Sequence, residues 1–137
     1  MDIIVYPQEA FKIQAALENA VELSLAEYVI LNHKGGSVVA ESGSVAPMDS
    51  SMIAALAAGS YSSTTTMATM LGQSAFKAIE YVGENKAVAL APCASHFLVI
   101  FMFGSAEIPA QFKSNLEAII AQIEPALSVI GQTSQIG

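Results

Sequence analysis

Residues 50–76 contain no charged side chain, although Asp49 and Lys77 flank the stretch directly. Most of it, from Ser50-Ser51-Met52-Ile53-Ala54-Ala55-Leu56-Ala57-Ala58-Gly59 to Met70-Leu71-Gly72, reads as a helix, with serines to cap its start and a glycine to end it. A helix lying on a protein surface shows water a charged face. This one shows two uncharged faces. At about 100° per residue, Met52, Ile53, Leu56, Ser60, Ser63, Met67, Met70 and Leu71 share a bulky side. Ala55, Ala58, Ser62, Thr65, Thr66 and Thr69 share another, on which every residue is small. The bulky side is expected to pack on a sheet, and the small side to admit a second helix backbone. In so short a chain, the candidate for that second helix is its counterpart in another copy. A helix buried wholly within its own domain is the competing reading. A membrane span is disfavoured, because the hydroxyls of residues 60–66 would lie at the bilayer centre and no basic flank sets an orientation.

The 137 residues suffice for one domain with a normal core, expected over about residues 8–127 with a loose C-terminal tail. Apolar residues make up 53% and charged residues 12%, about half the usual charged share, which leaves an ordinary monomer surface poorly covered. Oligomerisation is the simplest explanation. The net charge of −7 repels phosphate backbones and anionic lipid, so neither nucleic acid nor a membrane is an expected partner. All five basic residues are lysines (Lys12, Lys34, Lys77, Lys86 and Lys113), and arginine is absent. With a single cysteine, Cys93, and no signal-peptide pattern at the start, the expected location is the cytoplasm.

Pro7 opens a first helix, in which Ala10, Ile13, Leu17, Ala20 and Val21 recur at helical spacing. The runs Tyr28-Val29-Ile30-Leu31 and Ser37-Val38-Val39-Ala40 flank Lys34-Gly35-Gly36 and predict a β-hairpin. Residues 76–82 read as an edge strand carrying Lys77 and Glu80, and residues 87–91 as the next strand, ending at Pro92. Phe97-Leu98-Val99-Ile100-Phe101-Met102-Phe103 is apolar throughout, which implies a central strand covered on both faces. A last helix follows Pro109, with Phe112, Leu116, Ile119, Ile120 and Ile123 on one stripe and Pro125 close to its end. The order helix, two strands, helix, three strands, helix predicts an α/β/α sandwich around a five-stranded, largely antiparallel sheet.

Three parts of this order carry a family resemblance: the hairpin of residues 28–43, the Ala-rich helix Ile53-Ala54-Ala55-Leu56-Ala57-Ala58-Gly59, and the strands ending near Ala89-Leu90-Ala91-Pro92. Together they resemble the Roadblock family, the domain of dynein roadblock-type light chains and of bacterial and archaeal regulators of Ras-like GTPases. The resemblance covers about residues 11–127. It implies dimers in which the long helices pair and the third strands join edge to edge into one ten-stranded sheet. Here that interface would hold Ala55, Ala58, Ser62, Thr65, Thr66 and Thr69 on the helix, with Phe76, Ala78, Glu80 and Val82 on the strand. It also implies regulation or scaffolding of a small GTPase on the dimer surface.

No residue pattern points to catalysis. Lys34-Gly35-Gly36-Ser37 lacks the first glycine and the order of a phosphate-binding loop, so a hairpin turn is the better reading. Cys93 and His96 have a metal-like spacing without a second ligand pair, and they are expected to border the turn between the last two strands. Nothing places Cys93, His33 and His96 together as nucleophile and base, and no cofactor or metal site is expected. The scattered acidic residues read as solubilising charge. The expected protein is a non-enzymatic, homodimeric regulator or scaffold of a Ras-like GTPase. The alternatives are a small-molecule sensor, for which Tyr61 and the hydroxyls near it are the only inward polar candidates, and a purely structural assembly module.

Overall fold

The computed structural model describes residues 6–47, 49–74 and 76–136, with side chains as far as Leu127. The elements are α1 (Pro7–Ser24), β1 (Tyr28–His33), β2 (Val38–Gly43), α2 (Ser50–Met70), β3 (Ile79–Val82), β4 (Ala87–Cys93), β5 (Phe97–Phe103) and α3 (Ala110–Ile136). Their order is the predicted one. The five strands form one sheet in the order β2-β1-β5-β4-β3, with every neighbouring pair antiparallel. The all-apolar β5 is central, as its composition requires, and β2 and β3 are the edges.

Strand alternation divides the core in two. Val29 and Leu31 of β1, Ala87, Ala89 and Ala91 of β4, and Phe97, Val99, Phe101 and Phe103 of β5 point to one face, where α1 and α3 cover them. From these helices Ile13, Leu17, Phe112, Ile119 and Ile123 interdigitate, and the Phe112 ring meets Phe101 and Phe103 edge to face at 4.8 and 5.3 Å. Tyr28, Ile30, Leu90, Leu98 and Ile100 point to the other face, beneath α2.

Several boundaries differ from the sequence pattern. The N-cap of α2 is Asp49, whose carboxylate accepts from Met52 N–H at 3.0 Å, instead of a serine. Ser50 donates its hydroxyl to Glu41, which also accepts from Tyr28 O–H at 2.7 Å. Burial and this carboxylate push the Tyr28 phenol up to about 12. At the far end Gly72 is left-handed, with φ +80°, and the Gly72 N–H→Thr69 O and Gln73 N–H→Ala68 O bonds close the helix as a glycine cap does.

Strand β3 is shorter than residues 76–82 suggest, and Phe76 and Ala78 precede it. Strand β4 runs past Pro92 to Cys93. Because Gly83 N–H donates to Lys86 O, alternation turns the backbone polar groups of residues 86, 88, 90 and 92 toward β3. The β3 ladder ends at the Ile79–Leu90 pair, so the donor missing at Pro92 would have faced an unoccupied edge. α3 continues through Pro125 to Ile136, past the point where the pattern predicts loosening.

Candidate interaction site

The side of α2 turned to the sheet differs from the sequence expectation: it takes Ala58 and Thr65 from the small stripe and Ile53 from the bulky one, but consists mainly of residues in neither. Ala54, Ala57, Ala58, Tyr61 and Ala68 are buried, whereas Met52, Leu56, Met67, Met70 and Leu71 stand outward, with Leu56 64% and Met70 82% exposed. The reason is volume. The sheet already supplies Tyr28, Ile30, Leu90, Leu98 and Ile100 to this layer, so a close-packed interior takes mostly alanines from α2, with Tyr61 and the half-buried Ile53 as the larger members. Four alanines therefore face the sheet, whereas Met52, Leu56, Met67, Met70 and Leu71 face water together with the small Ala55, Ser62, Thr66 and Thr69.

Of the residues assigned on sequence to an interface, Ala58 is a correction. At 8% exposure it packs with Tyr61 and Leu98 and is not open to a partner helix. Ala55, Ser62, Thr66 and Thr69 are exposed along one flank of α2, and Thr65 is half-buried. Phe76 and Ala78 are half-buried ahead of β3, Glu80 lies 3.9 Å from Lys113, and Val82 is exposed on the sheet edge beside the half-exposed Tyr81. Of the side that the sequence reading assigned to the sheet, Met52, Leu56, Ser60, Ser63, Met67, Met70 and Leu71 face outward with Gly59 beside them, and only Ile53 is half-buried against the sheet. The missed signal was the recurrence of Ala54, Ala57, Ala58, Tyr61 and Ala68 at i, i+3, i+4, i+7 and i+14.

Five hydroxyls in the second half of the helix are turned upon its own backbone. Ser63, Thr64, Thr65, Thr66 and Thr69 donate to the carbonyls four residues earlier, of Gly59, Ser60, Tyr61, Ser62 and Thr65, at 2.9 to 3.3 Å. With its hydrogens so used, this segment presents chiefly methyls and acceptor oxygens.

The β1–β2 turn closes against α2. A side chain at Gly36, whose φ is +106°, would meet the Ala55 backbone at 3.3 Å. Lys34 sits 5.3 Å above the Tyr61 ring and donates to Ser95 O at 3.0 Å. Lys34, Ala58, Tyr61, Ser62, Thr65 and Thr66 line an open groove of about 310 Å³. His33 and His96 stack with centroids 6.2 Å apart. Cys93 is buried and its thiol is pushed up to about 12 by that burial and then by Glu124, a setting that disfavours a thiolate nucleophile or ligand. Among the described residues no group of three His, Cys, Asp or Glu is placed to hold a metal, and no helix is long and apolar enough to cross a membrane.

An antiparallel five-stranded sheet with two helices on one face and one long uncharged helix on the other defines a Roadblock-type α/β/α domain. The sequence profile of the Roadblock/LC7 domain matches residues 12–101, and the chain belongs to that family. Its fold is that of gliding protein MglB from Thermus thermophilus, at 20% identity and TM-score 0.81, covering 91% of this chain and 95% of that one. It is also similar to Myxococcus xanthus MglB, at 17% identity and TM-score 0.82, covering 93% and 96%. A Roadblock/LC7 domain from Streptomyces avermitilis aligns at 16% identity and TM-score 0.72, covering 83% and 96%. No curated protein sequence matches.

Proposed function

We propose that this chain is a non-enzymatic, homodimeric regulator or scaffold of a Ras-like small GTPase, acting in the cytoplasm. The observation that carries the reading is the outward face of α2. Met52 and Met70 are equidistant from Tyr61 along the chain, and Leu56 and Met67 nearly so, with Gly59, Ser60 and Ser63 between them. A twofold axis crossing an antiparallel helix pair near Tyr61 brings Met52 of one copy to Met70 of the other and Leu56 to Met67, while the small residues let the backbones approach. Tyr81 and Val82 on the open β3 edge extend the same surface toward strand pairing, with Glu80 at its border and Ala55, Ser62, Thr66 and Thr69 at its flank. Family membership supports the GTPase as partner.

With no arginine in the chain, stimulation of hydrolysis would proceed without an arginine finger, by holding the partner's own switch loops in their active arrangement. The test mixes the purified chain with the Ras-like GTPases of its source organism and follows molecular mass and GTP turnover. A stable dimer that binds one of them is the expected result. A monomer at tens of micromolar that binds none overturns the reading. Alanine at Lys12, Lys34, Lys77, Lys86 or Lys113 singly is expected to lower any stimulated turnover by less than about tenfold, or roughly 1.4 kcal/mol. A thousandfold loss at one lysine with binding intact would reveal a direct charge donor.

A further inference from the structure

The chain's two histidines come from different turns and meet at one end of the sheet. His33 ends β1, and His96 lies in the β4–β5 turn. Their rings are nearly parallel, 12° apart, and the Phe97 ring meets His33 in an edge-type contact with centroids 5.6 Å apart. The two turns are joined by Lys34 N–H→His96 O at 2.8 Å and by the Lys34 ammonium on Ser95 O.

The His33 ring also holds its own turn. Gly35 N–H donates to His33 Nδ1 at 2.9 Å, so Nδ1 is unprotonated and the neutral ring carries its hydrogen on Nε2. The remaining bonds of the tip are Gly36 N–H→His33 O and His33 N–H→Ser37 O, both 2.8 Å. Gly36 and Lys34 in turn abut Ala55 and Tyr61 of α2, so the tip is one wall of the groove beside that helix.

We propose that the stacked His33–His96 pair is an acid-sensitive latch on the β1–β2 tip, through which protonation of His33 loosens the tip from α2. The imidazolium carries hydrogen on both nitrogens, so Nδ1 faces the Gly35 N–H as a second donor and the bond is lost. Among the described residues the titratable groups around the ring are His96 and Lys34, both basic, so nothing there compensates the new charge. His33 is accordingly held below the usual histidine range, by burial first and then by these neighbours. The open tip would carry Gly36 away from Ala55 and Lys34 away from the Tyr61 ring.

The experiment follows backbone amides and histidine rings by NMR in the full chain from pH 8 to pH 5. The Gly35 amide is expected to shift with the midpoint of the His33 ring, and the Gly35 and Gly36 amides to lose at least tenfold of their exchange protection across that step, after correction for intrinsic exchange. His33→Phe keeps a flat ring that neither accepts nor titrates, and its Gly35 amide is expected to be unprotected at every pH. His96→Gln is expected to raise the His33 midpoint. A Gly35 amide that ignores the His33 titration, or that stays protected and pH-dependent in His33→Phe, overturns the latch. So does a His33 midpoint unchanged in His96→Gln.

Discussion

The two faces of the sheet are built to different standards. Under α1 and α3 the layer is thick and closed, with Phe97, Phe101 and Phe112 all but inaccessible. Under α2 the layer is thin: alanines and one tyrosine rest on large strand residues, and the helix turns methionines and leucines outward along its length. The first face needs nothing further. The second carries its spare apolar surface on the far side of a helix, which is where a monomer gains least and a dimer gains most. The difference separates a layer closed by the fold itself from one whose outer side is open to the dimer contact proposed above.

The strongest way to break that comparison is to empty the thick face. Phe101→Ala is expected to lower folding stability by about 3–5 kcal/mol, read from the urea midpoint. A loss below about 1 kcal/mol would show that the thick layer does not anchor the fold. Next, Ala58→Glu places an unpaired carboxylate between Tyr61 and Leu98, with an expected loss of about 3 kcal/mol or more. A variant that stayed as stable as the parent but became monomeric would restore the small stripe as the partner face. Leu56→Glu, on the outward face, is expected to change monomer stability by no more than about 0.5 kcal/mol while dissociating the dimer in light scattering. Destabilisation equal to that of Ala58→Glu would show that Leu56 packs inward.

The smallest expected effect is on pH. The folded state holds His33 below its unfolded value, so the unfolded chain binds the proton first. The stability contribution is therefore complete above about pH 6.5 and is lost as pH falls through the lowered value. Melting temperatures at pH 7.5 and 5.5 should differ more in the parent than in His33→Phe; equal differences would remove His33 from the account.

Much of the fold was legible because periodicity reports burial directly. Pro7 marks the start of α1, the unbroken apolar run of β5 marks the sheet centre, and Lys34-Gly35-Gly36 marks the hairpin turn. The faces of α2 were not legible in the same way. A helical wheel separates stripes without saying which one turns inward, and here that depends on the volume already supplied by Leu98 and Ile100 from a strand far along the chain. The Asp49 cap lost to adjacent serines because both residue types cap well and geometry alone chooses between them. The meeting of His33 and His96 depends on the β1–β5 register, which no local pattern encodes.

Pro92 acquires a meaning from its place in β4. Beyond Leu90 the ladder to the third strand ends, and an unpaired stretch of strand edge is a template on which a stray chain from a crowded or partly unfolded pool can nucleate. A residue that offers a carbonyl and no N–H interrupts the template where the native partner ends. Strand addition there is thereby discouraged, two residues along β4 from where it meets β3, the edge strand proposed above for pairing between copies.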